Sequence, residues 1–200
     1  MAPGTILTSL TGEAIRAAVP ALACLRVRIF RDWPYLYDGA LEYEAAYLEK
    51  YVSTPGALVV TAADARDGTI VGASTALPLA AAEEELRAPF LAAGHDPADW
   101  YYFGESLLDH RWRGRGIGVA FFAAREAEAA RLGFARTTFC AVRRPAGHPA
   151  RPAGHVPLDA FWAKRGYRAR PELIATFAWR DVGEAADSPK PMMFWTKERG

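Results

Sequence analysis

Arg113-Gly114-Arg115-Gly116-Ile117-Gly118 is the stretch whose reading decides the fold. Immediately before it, Trp100-Tyr101-Tyr102-Phe103 and Ser106-Leu107-Leu108 read as one apolar strand with Gly104-Glu105 in its middle. A glycine inside a strand marks a bulge or a close approach of backbone to a ligand. After it, apolar residues at 117, 120, 121, 124, 127 and 132 follow helical spacing, and Gly133 supplies the stop. Strand, glycine turn, helix is the geometry of an anion site. Glycines let successive N–H groups converge, and the helix N-terminus adds partial positive charge.

Spacing separates three possible ligands. A nucleoside-triphosphate loop needs G-x-x-x-x-G-K-[ST], and neither the Lys nor the hydroxyl residue is present. A dinucleotide fingerprint, G-x-G-x-x-G/A read from Gly114, puts Val119 in the last glycine position, and no acidic residue closes a following strand at the right distance. The third spacing is R-x-x-G-x-G, formed by Arg113, Gly116 and Gly118. It resembles the acyl-CoA signature of the GCN5-related N-acetyltransferase superfamily, whose loop amides bind the CoA pyrophosphate. Phe161-Trp162-Ala163-Lys164-Arg165-Gly166-Tyr167 resembles that superfamily's later helix, with its Y-x-x-x-G-F ending followed by two strands. The resemblance runs from Trp100 to Trp195.

The resemblance implies an acetyl or short-acyl transfer from acetyl-CoA, or another acyl-CoA, to a primary amine of a small molecule or peptide, by direct attack in a ternary complex. The cradle is then the backbone of Arg113, Gly114, Arg115, Gly116, Ile117, Gly118 and Val119. Ser106, Leu107 and Leu108 pair with the pantetheine arm through main chain, where the central strand splays from its neighbour. Glu105, the one acidic residue on that strand, is the expected base. Trp162 stands where many relatives carry a Tyr that protonates the thiolate, and an indole N–H is no practical acid. His155 stands seven residues earlier, at a place often held by an Asn that contacts CoA. His155, Cys140 or water then replaces the acid, or the thiolate leaves unprotonated. The acceptor pocket is expected under Trp33, Tyr35, Tyr37 and Asp38. Two alternatives stay open: a CoA-binding or regulatory domain without turnover, which Trp162 favours, and a homoserine-lactone-synthase-like acyltransferase.

Outward from the loop, strands are expected over 5–10, 57–63, 69–77, 137–142, 174–179 and 192–196. Helices are expected up to Phe30 with an interruption at Pro20, and over 41–52, 81–93 and 158–165. Arg143 to Pro157, with four prolines, reads as a long loop. The fold class is therefore α/β, with a mixed central sheet of about seven strands flanked by about four helices and splayed at the central parallel pair. A length of 200 residues suits one domain over 1–200.

With 24 basic and 23 acidic residues, the chain has no net field that would draw nucleic acid or an anionic membrane. Two cysteines, Cys24 and Cys140, are too few for a disulfide framework or a usual zinc site, and no metal is expected. The N-terminus lacks the pattern of a signal peptide, which points to the cytoplasm. A homodimer is expected by analogy with the superfamily.

Overall fold

The computed structural model describes residues 4–199. The strands are β1 (Thr5–Leu10), β2 (Leu58–Asp64), β3 (Ile70–Pro78), β4 (Trp100–Leu108), β5 (Arg136–Val142), β6 (Arg168–Trp179) and β7 (Ser188–Glu198). The helices are α1 (Val19–Phe30), α2 (Leu41–Ser53), α3 (Glu84–Ala92), α4 (Ile117–Arg131) and α5 (Asp159–Ala163). All seven strands join one sheet in the order β1-β2-β3-β4-β5-β7-β6. Only β4 and β5 run parallel; the other neighbours are antiparallel.

Three expectations need correction. Pro20 does not interrupt a helix; it sits in the first turn of α1, where its missing N–H costs no hydrogen bond, after a 3-10 turn over Gly12–Ala18. The described residues hold five α-helices, in keeping with about four, and α5 stops at Ala163, short of Arg165. β6 begins at Arg168 rather than Ile174, because its ladder to β7 passes over Pro171 through a register shift between Arg170 and Ile174.

Apolar side chains fill both faces of the sheet. On one face Leu22, Leu25, Leu48, Tyr51, Phe90, Trp100, Leu107 and Phe194 pack beneath α1, α2 and α3. On the other, Tyr101, Phe103, Phe139, Tyr167 and Trp195 meet Ile117, Phe121 and Phe122 of α4. Each such buried aromatic or aliphatic side chain contributes roughly 1.5–3 kcal/mol. This double anchoring fixes both walls of the opening described next.

Candidate active site

β4 and β5 are paired only at their beginnings, where Trp100 faces Arg136, Tyr101 faces Thr137 and Tyr102 faces Thr138. Beyond that point the two strands separate into a fork. β4 stays bound to β3 as far as Leu108, and β5 stays bound to β7 as far as Val142. The separation begins at a bulge. Ser74 pairs Ser106 and Ala76 pairs Phe103, so Thr75 alone faces both Gly104 and Glu105. The Glu105 amide donates to Thr75 Oγ1 at 3.0 Å. A Cβ on Gly104 would overlap Thr75 Oγ1 and lie 2.6 Å from Tyr51 Oη, so no other residue fits this bulge without movement. The bulge read from Gly104 is thus present, with a steric cause.

At the open end of the fork lies the glycine loop. Asp109 accepts from the Arg111 amide at 3.0 Å and starts a 3-10 turn over His110–Trp112. Hydrogen bonds from the Arg111 side chain and amide, together with the nearby Arg28 charge, hold the Asp109 carboxyl far below the usual carboxylate range against the opposing effect of burial. Gly114 and Gly116 have φ of +76° and +81°, a region L side chains avoid, and Gly116 caps α4. Gly118 lies in the first turn of α4, where an added Cβ would touch only Phe161, at 3.4 Å. Arg113 reaches back to the Leu108 carbonyl at 3.4 Å. Arg115 turns to the far side of the loop, over Trp112 at 4.7 Å, so its side chain does not share the groove with Arg113.

Fork, loop and roof border one groove of about 2220 Å³. Ser106, Leu108, Arg113, Gly114, Gly116 and Val119 line it on the β4 side, while Leu107 turns its side chain into the core under α1. Trp162, half-buried, packs its ring 5.1 Å from both Phe139 and Trp195 and closes the groove from α5. His155 belongs to the proline-rich loop and sets its ring edge-on to Trp33 at 5.7 Å, beside His148 at 5.2 Å. At the root of the fork Tyr102 and Cys140 face each other, hydroxyl to thiol, at 3.3 Å. Burial pushes the Cys140 thiol up to about 12.

Trp33, Tyr35, Tyr37 and Asp38 come together as a roof over one side of the groove. Tyr35 packs at a tilt against Phe30 at 4.5 Å and stacks on Trp179 at 6.1 Å, and the Trp179 indole donates to the Tyr35 carbonyl at 3.1 Å. Arg144, itself buried, donates to the Pro34 carbonyl at 2.8 Å and pairs with Asp181 at 2.6 Å, while Lys190 pairs with Asp181 at 3.1 Å. Asp38 is not a free carboxylate: Arg31 at 2.8 Å and Arg180 at 3.0 Å both hold it.

Two charged groupings escaped sequence reasoning. Arg26 of α1 lies between the carboxylates of Glu44 and Glu105, and Thr75 Oγ1 also bonds Glu105. All three charged residues are buried, and Glu44 Oε1 has no hydrogen-bond partner among the described residues. Beneath the bulge, Arg125 of α4 is 1% exposed. It donates to the Glu105 carbonyl at 3.3 Å and Ser106 Oγ at 2.9 Å, with its guanidinium 4.5 Å from the Phe103 ring centre. Burial pulls it down to about 10. One signal was available for Arg125: it stands four residues after Phe121 and continues the buried stripe Ile117, Phe121, Arg125, Ala129. The Arg26 pairings join residues distant in sequence and carry no local signal.

No family profile and no curated protein matches the chain. Solved structures do. Ribosomal-protein-alanine N-acetyltransferase from Brucella melitensis superposes with a TM-score of 0.60 at 18% identity, over 96% of this chain and 99% of that one. A GCN5-related N-acetyltransferase from Kribbella flavida gives 0.59 at 18% identity, over 96% and 97%. PaiA N-acetyltransferase from Thermoplasma acidophilum, solved in complex with coenzyme A, gives 0.54 at 12% identity, over 97% and 98%. The chain has the fold of the GCN5-related N-acetyltransferases. Among the described residues no helix is long and apolar enough to cross a membrane, and no cluster of His, Cys, Asp and Glu could hold a metal ion.

Proposed function

We propose that this chain is an acyl-CoA-dependent N-acyltransferase that moves an acetyl or short acyl group directly to a primary amine of a small molecule or peptide. One observation carries the reading: the β4–β5 fork opens onto a glycine loop that caps a helix, and a single groove joins both to an aromatic roof. The loop amides from Arg113 to Val119 hold the pyrophosphate, as convergent N–H groups at a helix N-terminus can. The arm then runs along Ser106 to Leu108 toward the fork root, with its unpaired main chain as partner. The acceptor amine enters beneath Trp33, Tyr35, Tyr37 and Asp38.

Glu105 is the base in this reading. Its carboxylate borders the groove beside the fork, where it can take the amine proton directly or through water. His155 stands on the groove wall, where it can meet the CoA arm. Replacement of Glu105 by Gln tests the base: turnover unchanged across pH would remove it from that role.

The CoA site is tested by a thermal-shift titration with acetyl-CoA on the wild type and on Gly118→Glu. Gly118 is the better position than Gly116, because a side chain at Gly116 would strain its backbone whatever the ligand does. A carboxylate in the first turn of α4 suits the helix and opposes the pyrophosphate. A melting temperature that rises with acetyl-CoA in the wild type, and does not in the variant, supports the site. No rise with acetyl-CoA, longer acyl-CoAs or free CoA rejects it.

A second reading, CoA binding without turnover, is favoured by Trp162, which cannot protonate a thiolate. Release of free thiol in the presence of amines separates the two.

A further inference from the structure

Two groups beside the fork are unsuited to protonate the departing thiolate. Trp162 has no acid to offer, and the Cys140 thiol, buried and bonded to Tyr102, is a weaker acid than the thiol it would have to protonate. On the opposite wall of the fork stands a charge with no counter-ion. Arg125 has no carboxylate within ion-pair distance among the described residues, since its sequence neighbour Glu126 pairs with Lys197 at 2.9 Å. The Arg125 donors meet only neutral acceptors, the carbonyls of Phe121, Thr75 and Glu105 and the Ser106 hydroxyl, and its guanidinium lies against Phe103 and Phe122, so the charge is hydrogen-bonded but not neutralised.

Its position gives the charge a use. Arg125 borders the groove at the root of the fork and donates to the carbonyl of Glu105 and the hydroxyl of Ser106, where β4 leaves β5. In the acyltransferase reading, a CoA arm anchored at the loop and extended along β4 brings its sulfur toward this point. A fixed cation in a low-dielectric wall stabilises charge that develops beside it without prior reorganisation.

We propose that Arg125 stabilises the leaving thiolate of CoA by its charge, where neither Trp162 nor Cys140 can donate a proton; this role rests on the acyltransferase reading above. In the step, the amine nitrogen forms a bond to the thioester carbonyl carbon. The C–S bond then breaks and leaves its electron pair on sulfur, and the proton shed by nitrogen passes to Glu105 or water. The sulfur departs as a thiolate opposite Arg125 and is protonated after release.

The test uses free CoA and needs no acceptor. The thiol of bound CoA is titrated through the ultraviolet absorbance of its thiolate, in the wild type, Arg125→Gln and Arg125→Lys. Expected is a thiol that titrates about one pH unit or more lower when bound to the wild type than when free. Arg125→Lys should retain most of that shift and Arg125→Gln should lose it. With any amine that supports turnover, kcat of the Gln variant should fall about a hundredfold at little change in acetyl-CoA affinity. A bound thiol that titrates like free CoA in the wild type overturns the proposal, whatever the variants do. So does a lowered titration that survives in Arg125→Gln, which would make Arg125 only a prop for the bulge. If Arg125→Gln does not fold, Arg125→Met, which keeps the packing against Phe103 and Phe122 without the charge, takes its place under the same two outcomes. If CoA does not bind the wild type at all, the acyltransferase reading fails first, and this role falls with it.

Discussion

Arg26 and Glu105 form a buried ion pair that ties α1 to the bulge of β4, and Glu44 from α2 holds the same guanidinium from its other side. Two carboxylates share one cation where α1, α2 and β4 meet. Arg26→Met would leave Glu44 and Glu105 together without it. The expected loss of stability is about 3–5 kcal/mol, read from urea denaturation at neutral pH. An equal loss when Arg26→Met is added to a Glu44→Gln, Glu105→Gln background would mean that packing, not charge, is what Arg26 supplies.

Gly104 gives a sharper steric test. Its Cβ would have to enter space occupied by Thr75 Oγ1 and Tyr51 Oη, both inside a hydrogen-bonded cluster with Glu105. Gly104→Ala should therefore cost roughly 1–3 kcal/mol and displace the bulge. Because the bulge starts the fork, CoA affinity should fall in parallel with stability. Full affinity in a destabilised variant would separate the bulge from the binding groove.

Steric and backbone demands were legible in the sequence, and long-range pairings were not. Gly104 within an apolar strand, and Gly116 before an apolar-periodic helix, name positions where a side chain cannot go, and both stand where they were read. A helix intervening between two strands did not settle their direction: α4 separates the parallel pair β4 and β5, but helices also separate β1 from β2 and β3 from β4, which pair antiparallel. Arg26, Glu44 and Glu105 are joined only by folding, and no spacing rule connects a helix residue to a strand residue so far along the chain. Asp38 illustrates the same limit, since a carboxylate beside three aromatics reads as an amine ligand until Arg31 and Arg180 are seen to hold it. Pro171 was readable as a strand breaker, yet β6 passes over it by shifting register, because its free edge tolerates a missing N–H.

Asp181 anchors the roof and should make it sensitive to acid. Burial pushes its carboxyl upward, but hydrogen bonds from Arg144 and Lys190 outweigh that and hold it below the usual carboxylate range. A lowered folded-state pKa contributes stability that is present above the unfolded value, near 4, and is lost as pH falls through the folded one. Asp181→Asn should cost about 3 kcal/mol at neutral pH, since Arg144 loses its carboxylate and Lys190 keeps only Glu184. Its stability should then change less than that of the wild type between about pH 5 and 3. Arg144 also holds the Pro34 carbonyl, so the variant should raise KM for the amine more than it lowers kcat.

Cys140 lies at the fork root, where a thiol could be mistaken for an acyl carrier. With its pKa raised to about 12, less than about one thiol in a thousand is ionised at pH 8, and only the thiolate attacks a thioester. Direct transfer to the amine then needs no cysteine intermediate. Intact-mass measurement after incubation with acetyl-CoA alone should show no acetyl group on Cys140. Alkylation of the native protein should modify the exposed Cys24 and leave Cys140 untouched until denaturant is added. Cys140→Ala should keep kcat within about fivefold, because it removes a small buried group and one weak bond to Tyr102. An acetylated Cys140, or a thousandfold loss of turnover in the alanine variant, would replace direct transfer with a two-step path through that sulfur.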